Sequence, residues 1–271
     1  MSPSAYQMVV YNTNDFIIGS DKSGYRHLYQ LDYNGNILRQ LTSGEFYVTD
    51  YYGYNEKNKE HYFQGTQLGA INRNVAKVNQ KGIITMLNAS FSANFNYYVR
   101  TYSNSTTPTQ YTLWNGTKKI ADLELNNEYA IKYSTAPQKE FLKVKNAEGE
   151  EMDAFIIKPA NFDASKKYPL LTYQYNGPES QEVLNRWRMD GIYYFADQGY
   201  IVACVDGRGT GCKSREWSDA VYKQLGKYET IDQIAGAKYF ASLPYIDSQR
   251  VACFGWSFGG YMTLMELSSP D

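Results

Sequence analysis

The chain has 271 residues, of which 43% are hydrophobic and 20% are charged, and its formal net charge is −1. This length suits one large domain or two ordinary ones, and the near-neutral charge gives no electrostatic reason to expect nucleic-acid binding. No apolar run approaches the ~18 residues of a membrane-spanning helix, and the three cysteines have no C-x-x-C spacing.

The first half of the chain, residues 1–135, consists of short alternating segments separated by turns. Asn34-Gly35 lies between HLYQLD and NILRQLT, and Asn-Gly between two such runs is a strong hairpin signal. Strand-turn-strand units start at Leu28, Val75 and Tyr111, with spacings of 47 and 36 residues. Repetition at this interval predicts blades of a β-propeller, with a generic β-sandwich as the alternative.

The second half, residues 136–271, has a different pattern. YPLLTYQYNGP and GYIVACVDGRGTG are apolar runs that end in glycine-rich turns, as buried parallel strands do. Residues 228–242 have helical spacing and end at Leu243-Pro244, after which RVACF predicts another strand. Strands that alternate with helices indicate an α/β sheet, so we place a domain boundary near residue 135.

A G-x-S-x-G motif runs from Gly255 to Gly259 and has Ser257 at its centre. The strand RVACF precedes it and the helix-compatible GYMTLMELS follows it, which is the strand-turn-helix context of a nucleophile elbow. A serine hydroxyl needs a base to accept its proton and donors to stabilise the oxyanion. We therefore predict that Ser257 is a catalytic nucleophile rather than part of a structural Ser-Gly turn.

Two further segments follow predicted strands. Tyr175, in YNGPES, lies at the same predicted sheet edge as Ser257, where open α/β sheets bind ligands. Its hydroxyl either donates into the site or packs, and chemistry alone leaves both possibilities open. DGRGTG lacks the Gly-Lys-Ser/Thr of a phosphate-binding loop and is interpreted as a tight turn. We expect neither a cofactor nor a metal ion.

The catalytic triad is incomplete in this sequence. α/β-Hydrolases place the acid and then the histidine after the serine, but the 14 residues after Ser257 contain no histidine. The two histidines, His27 and His61, lie in the first half, and His27 is expected to pack or to face solvent. Three blades also cannot close a propeller, which has about 4–8. Both observations favour a fragment of a longer protein over a serine without a triad.

Five stretches carry a family resemblance: GYRHLYQLD, KKYPLLTYQYNGPESQ, VDGRGTG, YETIDQIAGAKYF and GWSFGGYM. They resemble, in order, the dipeptidyl peptidase IV branch of the prolyl oligopeptidase superfamily, and look closest to its bacterial members. The resemblance implies an eight-bladed propeller joined to an α/β-hydrolase domain. This chain would carry the last blades of the propeller and the N-terminal half of the hydrolase domain.

The resemblance also assigns roles to individual residues. Ser257 matches the nucleophile, the backbone N–H of Phe258 matches one oxyanion donor, and the hydroxyl of Tyr175 matches the other. The family usually has tyrosine at the position of Phe258, but a backbone donor does not depend on the side chain. The triad aspartate and histidine, and the acidic pair that holds the substrate amino group, fall outside this chain.

The implied activity is serine exopeptidase activity on peptides with a free N-terminus, with release of dipeptides that end in proline or alanine. The alternatives are an acylaminoacyl peptidase, a prolyl oligopeptidase or a non-catalytic homologue that uses its propeller for binding. Family members are often homodimers and are usually secreted, periplasmic or membrane-anchored. Without the triad partners, the 271-residue chain itself is expected to be inactive.

Overall fold

The computed structural model describes residues 9–10, 15–87, 90–91, 97–116 and 118–270. The contacts among these residues divide the chain into two compact units. The first unit takes in the described residues of Met1–Ser103, Thr109–Asn126 and Cys212–Glu216. The second takes in those of Asn104–Pro108, Asn127–Gly211 and Trp217–Asp271.

The first unit is built on three four-stranded sheets, in each of which the strands are neighbours in chain order. The first sheet contains β1 (Val9–Val10), β2 (Asp15–Ser20), β3 (His27–Asp32) and β4 (Ile37–Gln40). The second contains β5 (Val48–Asn55), β6 (Glu60–Gly65), β7 (Asn74–Asn79) and β8 (Ile84–Leu87). The third contains β9 (Ser90–Phe91), β10 (Tyr97–Asn104), β11 (Thr107–Asn115) and β12 (Lys118–Glu124).

The three predicted strand-turn-strand units are confirmed as antiparallel pairs, β3 with β4, β7 with β8, and β11 with β12. Gly35 closes the first turn with a φ of 85°, a left-handed conformation that glycine adopts without steric cost. The first two sheets share one apolar core. Its buried members are Ile17, Leu28, Leu41, Phe46, Val48, Tyr51, Phe63, Ala76 and Val78.

The second unit contains a five-stranded sheet with the strand order β13-β14-β16-β15-β17. In chain order its elements are α1 (Asn127–Lys132), β13 (Lys139–Lys145), β14 (Glu151–Ile157), β15 (Tyr168–Gln174), α2 (Gly191–Asp197), β16 (Ile201–Asp206), α4 (Tyr228–Ala241), β17 (Ile246–Gly255) and α5 (Phe258–Leu267). The short helix α3 (Arg215–Asp219) lies between β16 and α4 in the chain.

The central strands are apolar because both faces of the sheet are covered. All six residues of β16 are buried, as expected for a strand in the middle of an α/β sheet. The helix predicted over residues 228–242 is confirmed as α4, and it ends just before Leu243-Pro244. The core of this unit includes Met152, Leu170, Ile201, Val205, Phe240 and Ile246.

Strands β15, β16 and β17 are parallel, so their carboxyl ends meet at one edge of the sheet. That edge carries the ends of all three strands, at Gln174, Asp206 and Gly255. The loops that follow these strands form the candidate site. Within the described residues, no helix has both the length and the apolar character needed to cross a membrane.

Candidate active site

Ser257 lies in the short turn between a strand and a helix. β17 ends at Gly255 and α5 begins at Phe258, so the chain reverses from strand to helix within two residues. Ser257 has φ 54° and ψ −116°, a conformation rare for a residue with a side chain, which costs about 1–3 kcal/mol. Its side chain is exposed and does not cap the helix. The predicted strand-turn-helix context of the motif is therefore confirmed.

The two flanking glycines are required by close backbone packing. A Cβ on Gly255 would lie less than 3.0 Å from the backbone of Gly259, and one on Gly259 would lie equally close to the carbonyl oxygen of Gln174. Real Cβ atoms do not approach so closely, so both positions exclude a side chain. The start of α5 is thus pressed against the end of β15.

Tyr175 lies beside the elbow because of strand register. Gln174 at the end of β15 pairs with Gly255 at the end of β17, and Tyr175 is the next residue. Its half-buried ring lies 6.4 Å from the ring of Phe258, centroid to centroid. The structure therefore brings the three predicted site residues, Tyr175, Ser257 and Phe258, to the same edge of the sheet.

Phe258 is the first residue of α5. Backbone N–H groups in the first turn of a helix have no partner inside the helix, and the helix dipole gives them a partial positive charge. An oxyanion formed at Ser257 would therefore meet a favourable field. The ring of Phe258 packs edge-on against Tyr261, one turn along, with 5.3 Å between centroids.

The loop that begins with Tyr175 and the turn that follows β16 contain a buried residue, Asn176, whose role the sequence patterns did not indicate. The YNG loop, residues 175–180, lies against the DGRG turn, residues 206–211, through paired backbone hydrogen bonds. Between them is the side chain of Asn176, which is 1% exposed. The only signal in the sequence was an asparagine before glycine at a strand end, which indicates a left-handed residue but not its partners.

Two carboxyl groups near this edge hold their protons to unusually high pH. Burial raises the pKa of Asp206 to about 7, although its oxygens accept hydrogen bonds from the backbone of Glu182 and Val183. Burial also raises the pKa of Glu266, on α5, to about 7. The Oε1 atom of Glu266 is buried without a hydrogen-bond partner among the described residues.

Both histidines are internal residues of the first unit. His27 is buried and hydrogen-bonded to the Thr42 hydroxyl at 3.1 Å and the Gly44 carbonyl at 3.0 Å, so of the two expected environments it has the packed one. His61 is hydrogen-bonded to the Tyr51 hydroxyl at 2.9 Å. Burial lowers the pKa of both, that of His61 to about 4. The sequence of the second unit contains no histidine, so that unit has no imidazole base for Ser257.

The described part of the chain contains histidine, cysteine, aspartate and glutamate residues, the usual side-chain ligands of metal ions. Among those residues, no three histidine, cysteine, aspartate or glutamate side chains come together as a metal site would require.

Comparison with known families gives two matches. Residues 187–271 match the prolyl oligopeptidase family, and residues 3–109 match the dipeptidyl peptidase IV N-terminal region. The first match contains the Ser257 elbow and the second contains the first two sheets. The chain belongs to the prolyl oligopeptidase family, in its dipeptidyl peptidase IV branch.

Individual relatives agree with this assignment. A probable dipeptidyl peptidase 4 from Emericella nidulans is 35% identical over 266 residues, which cover 90% of this chain and 34% of the relative. The dipeptidyl peptidase 4 of Arthroderma otae is 33% identical over 270 residues, which cover 93% of this chain and 35% of the relative. The chain thus spans about a third of the length of the curated relatives it matches.

Solved structures show the same likeness. The crystal structure of Porphyromonas gingivalis dipeptidyl peptidase 4 matches with a TM-score of 0.90 and 39% identity, over 97% of this chain and 38% of that one. The crystal structure of a putative dipeptidyl aminopeptidase IV from Bacteroides ovatus matches with a TM-score of 0.85 and 29% identity, over 98% of this chain and 43% of that one.

Proposed function

We propose that the three four-stranded sheets are the last blades of a β-propeller and that the second unit is the N-terminal half of an α/β-hydrolase domain. The support is the repeated sheet with strands in chain order, together with the match to the dipeptidyl peptidase IV N-terminal region. The boundary is proposed near residue 135. The change of contact unit between Asn126 and Asn127 is consistent with this position.

We further propose that the protein carrying this chain is a serine exopeptidase that releases N-terminal dipeptides ending in proline or alanine. One observation carries the proposal: the pairing of Gln174 with Gly255 places Tyr175 beside the strained Ser257 elbow. Relatives named dipeptidyl peptidase 4 support the substrate class, which is a peptide with a free N-terminus. The family resemblance also implies a homodimer, which sedimentation velocity on the full-length protein would test.

The proposed reaction has two halves. The Oγ of Ser257 attacks the carbonyl carbon of the second substrate residue and gives its proton to a general base. The Phe258 N–H and the Tyr175 hydroxyl hold the resulting oxyanion. The C–N bond then breaks, the departing amine takes the proton from the base, and an ester remains on Ser257. Water attacks this ester and gives a proton to the base, the ester C–O bond breaks, and the base returns the proton to the Oγ of Ser257 as the dipeptide leaves as the free acid.

The general base is proposed to lie in the remaining length that the relatives have and this chain does not cover. Neither histidine of the chain is in the same unit as Ser257, and both are buried with lowered pKa. By this account the 271-residue chain alone has no significant peptidase activity. Removing one member of a triad already costs most of the rate.

The test uses the full-length protein and a chromogenic Gly-Pro anilide. Replacing the nucleophile, in Ser257→Ala, should lower kcat by about 10³-fold or more. Ser268→Ala is the matched control, since Ser268 is an exposed serine just beyond the same helix. Full activity in Ser257→Ala would overturn the proposal.

A second comparison separates the exopeptidase from the other family activities. A dipeptidyl peptidase needs a charged amino terminus on its substrate, so an N-acetylated Gly-Pro anilide should not be hydrolysed. Equal hydrolysis of the free and the blocked substrate would instead indicate a prolyl oligopeptidase, and release of an acetylated residue would indicate an acylaminoacyl peptidase.

A further inference from the structure

Asn176 occupies an unusual position directly after the candidate oxyanion tyrosine. It has φ 54°, in the left-handed region, and is 1% exposed. Asparagine tolerates this conformation better than most residues, but glycine adopts it at no steric cost. The backbone conformation alone therefore does not explain why residue 176 is a buried asparagine. The hydrogen bonds of its side chain do explain it.

The amide of Asn176 joins the YNG loop to two other elements. Its Oδ1 accepts from the backbone N–H of Gly207 at 2.9 Å and from Nε2 of Gln233, on α4, at 3.0 Å. Its Nδ2 donates to the carbonyl of Arg208 at 3.3 Å. A buried amide with both ends satisfied has one favourable orientation, because turning it would leave buried donors and acceptors unpaired.

The partners of Asn176 are themselves held rigidly. Asp232, fully buried on α4, accepts from the backbone N–H of Arg208 at 2.7 Å and binds its guanidinium through two oxygens. Gln233 also donates to the carbonyl of Val205 at 3.0 Å. A Cβ on Gly207 would lie 2.7 Å from that of Asp232, so the turn has no room to shift toward α4. Asn176 is thus hydrogen-bonded to groups that are themselves held in place by the 206–211 turn and by α4.

The same loop fixes the ring of Tyr175. A Cβ on Gly177 would lie 2.7 Å from Cε1 of that ring, so the ring lies directly over the Gly177 backbone. The centroid of this ring lies 6.4 Å from that of Phe258, and the Cβ of Phe258 would lie 3.5 Å from the same Cβ on Gly177. Asn176 lies between Tyr175 and Gly177 in the chain. The hydrogen bonds of its side chain therefore fix the position of the backbone from which the Tyr175 side chain projects.

We propose that Asn176 is a positioning residue that holds the Tyr175 hydroxyl in place for oxyanion stabilisation. The proposal rests on the proposed function of Tyr175 and adds to it a residue that does not touch the substrate. Misplacing a catalytic group by about 1 Å can cost as much as 10²-fold in rate. The effect should fall on kcat, because the oxyanion exists only after attack on the bound substrate.

The test is a double-mutant cycle in the full-length enzyme. Asn176→Gly removes all three side-chain hydrogen bonds but keeps the left-handed backbone accessible. With Tyr175 present, we expect kcat to fall by about tenfold or more with little change in KM. In the Tyr175→Phe background, Asn176→Gly should cause almost no further loss, because the hydroxyl that it positions is already absent.

Controls separate positioning from general damage to the fold. Asn126→Gly is matched, since Asn126 has φ 52° and a side chain bonded to the Thr109 carbonyl, but lies in the first unit. It should leave kcat unchanged. If Asn176→Gly fails to fold by circular dichroism, Gln233→Met takes its place in the cycle, because it removes one donor to Asn176, together with the bond to the Val205 carbonyl, while keeping a similar volume.

The outcomes are distinct. Equal losses in the two Tyr175 backgrounds would show a merely structural role and overturn the positioning proposal, leaving the proposed function intact. An unchanged kcat in Asn176→Gly would overturn it as well. If Tyr175→Phe alone leaves kcat unchanged while Ser257→Ala is inactive, the oxyanion role itself fails.

Discussion

The carbonyl oxygen of Gln174 lies directly against the backbone of Gly259, closer than any side chain at residue 259 would allow. This contact joins the end of β15 to the first turn of α5. It therefore sets the distance between the loop that carries Tyr175 and the helix that follows Ser257. Much of the site geometry depends on this one backbone approach.

Gly259→Ala should damage the site severely. The new methyl group would overlap the Gln174 carbonyl and approach the Cα of Tyr175 to 3.1 Å, so either the elbow or the tyrosine loop must move. We expect a loss of about 10²-fold in kcat and a lower melting temperature. Gly260→Ala is the control, because its nearest contact would be 3.4 Å, an ordinary separation. Equal effects of the two variants would contradict this explanation.

Tyr175→Phe should lower kcat by about 10²–10³-fold and change KM little, the usual result of removing one oxyanion donor. The ring and its packing against Phe258 are retained, so stability should change little. Tyr173→Phe, two residues earlier on the strand, is the control and should leave kcat unaltered. A large rise in KM with kcat unchanged would instead indicate that Tyr175 binds the substrate in the ground state.

Glu266 should make stability depend on pH. Its pKa is raised by burial from 4.5 to about 7, so the folded protein keeps a proton that the unfolded chain loses at lower pH. This contribution to stability is complete below about pH 4.5 and is lost as pH rises toward 7.

Glu266→Gln tests this dependence directly. The variant should melt close to the wild type at pH 4.5 and a few degrees above it at pH 8, since the amide never has to ionise. Glu216→Gln, at an exposed position, is the control for replacing a carboxyl group by an amide. A wild type that is more stable than Glu266→Gln at pH 8 would show that hydrogen bonds from Gln174 and Cys253 outweigh the cost of burying the carboxylate.

Asp232→Asn should destabilise the second unit by about 3–5 kcal/mol, because it leaves the buried Arg208 guanidinium without its main counter-charge. The half-exposed Glu148, at 3.0 Å from Nη2 of Arg208, compensates only in part. Urea denaturation would measure the loss, with the exposed Asp197→Asn as control. A loss below about 1 kcal/mol would mean that solvent or Glu148 neutralises the arginine.

Sequence patterns were sufficient for the elements that depend on local signals. Asn34-Gly35, the apolar run of β16, the helix that ends before Leu243-Pro244 and the G-x-S-x-G elbow all follow from turn chemistry, periodicity and steric need. The placement of Tyr175 beside Ser257 also followed, because parallel strands bring their carboxyl ends to one edge.

The network behind the site could not be derived in this way. Asn176, Gly207 and Gln233 are far apart in the chain, and their contacts depend on the order β16-β15-β17 and on where α4 packs. Strand order and helix placement are tertiary properties that no local pattern encodes. The raised pKa of Glu266 was missed for the same reason, since an acidic residue on a predicted helix is ordinarily exposed.

Labelling the full-length protein with a fluorophosphonate, and mapping the modified residue by mass spectrometry, would test directly whether Ser257 is the nucleophile. An activated serine forms a covalent adduct with this reagent, whereas ordinary serines do not. We expect one adduct per chain, on the peptide that contains Ser257, and parallel loss of Gly-Pro anilide hydrolysis. Stoichiometric labelling of a different serine, with Ser257 unmodified and activity abolished, would contradict it.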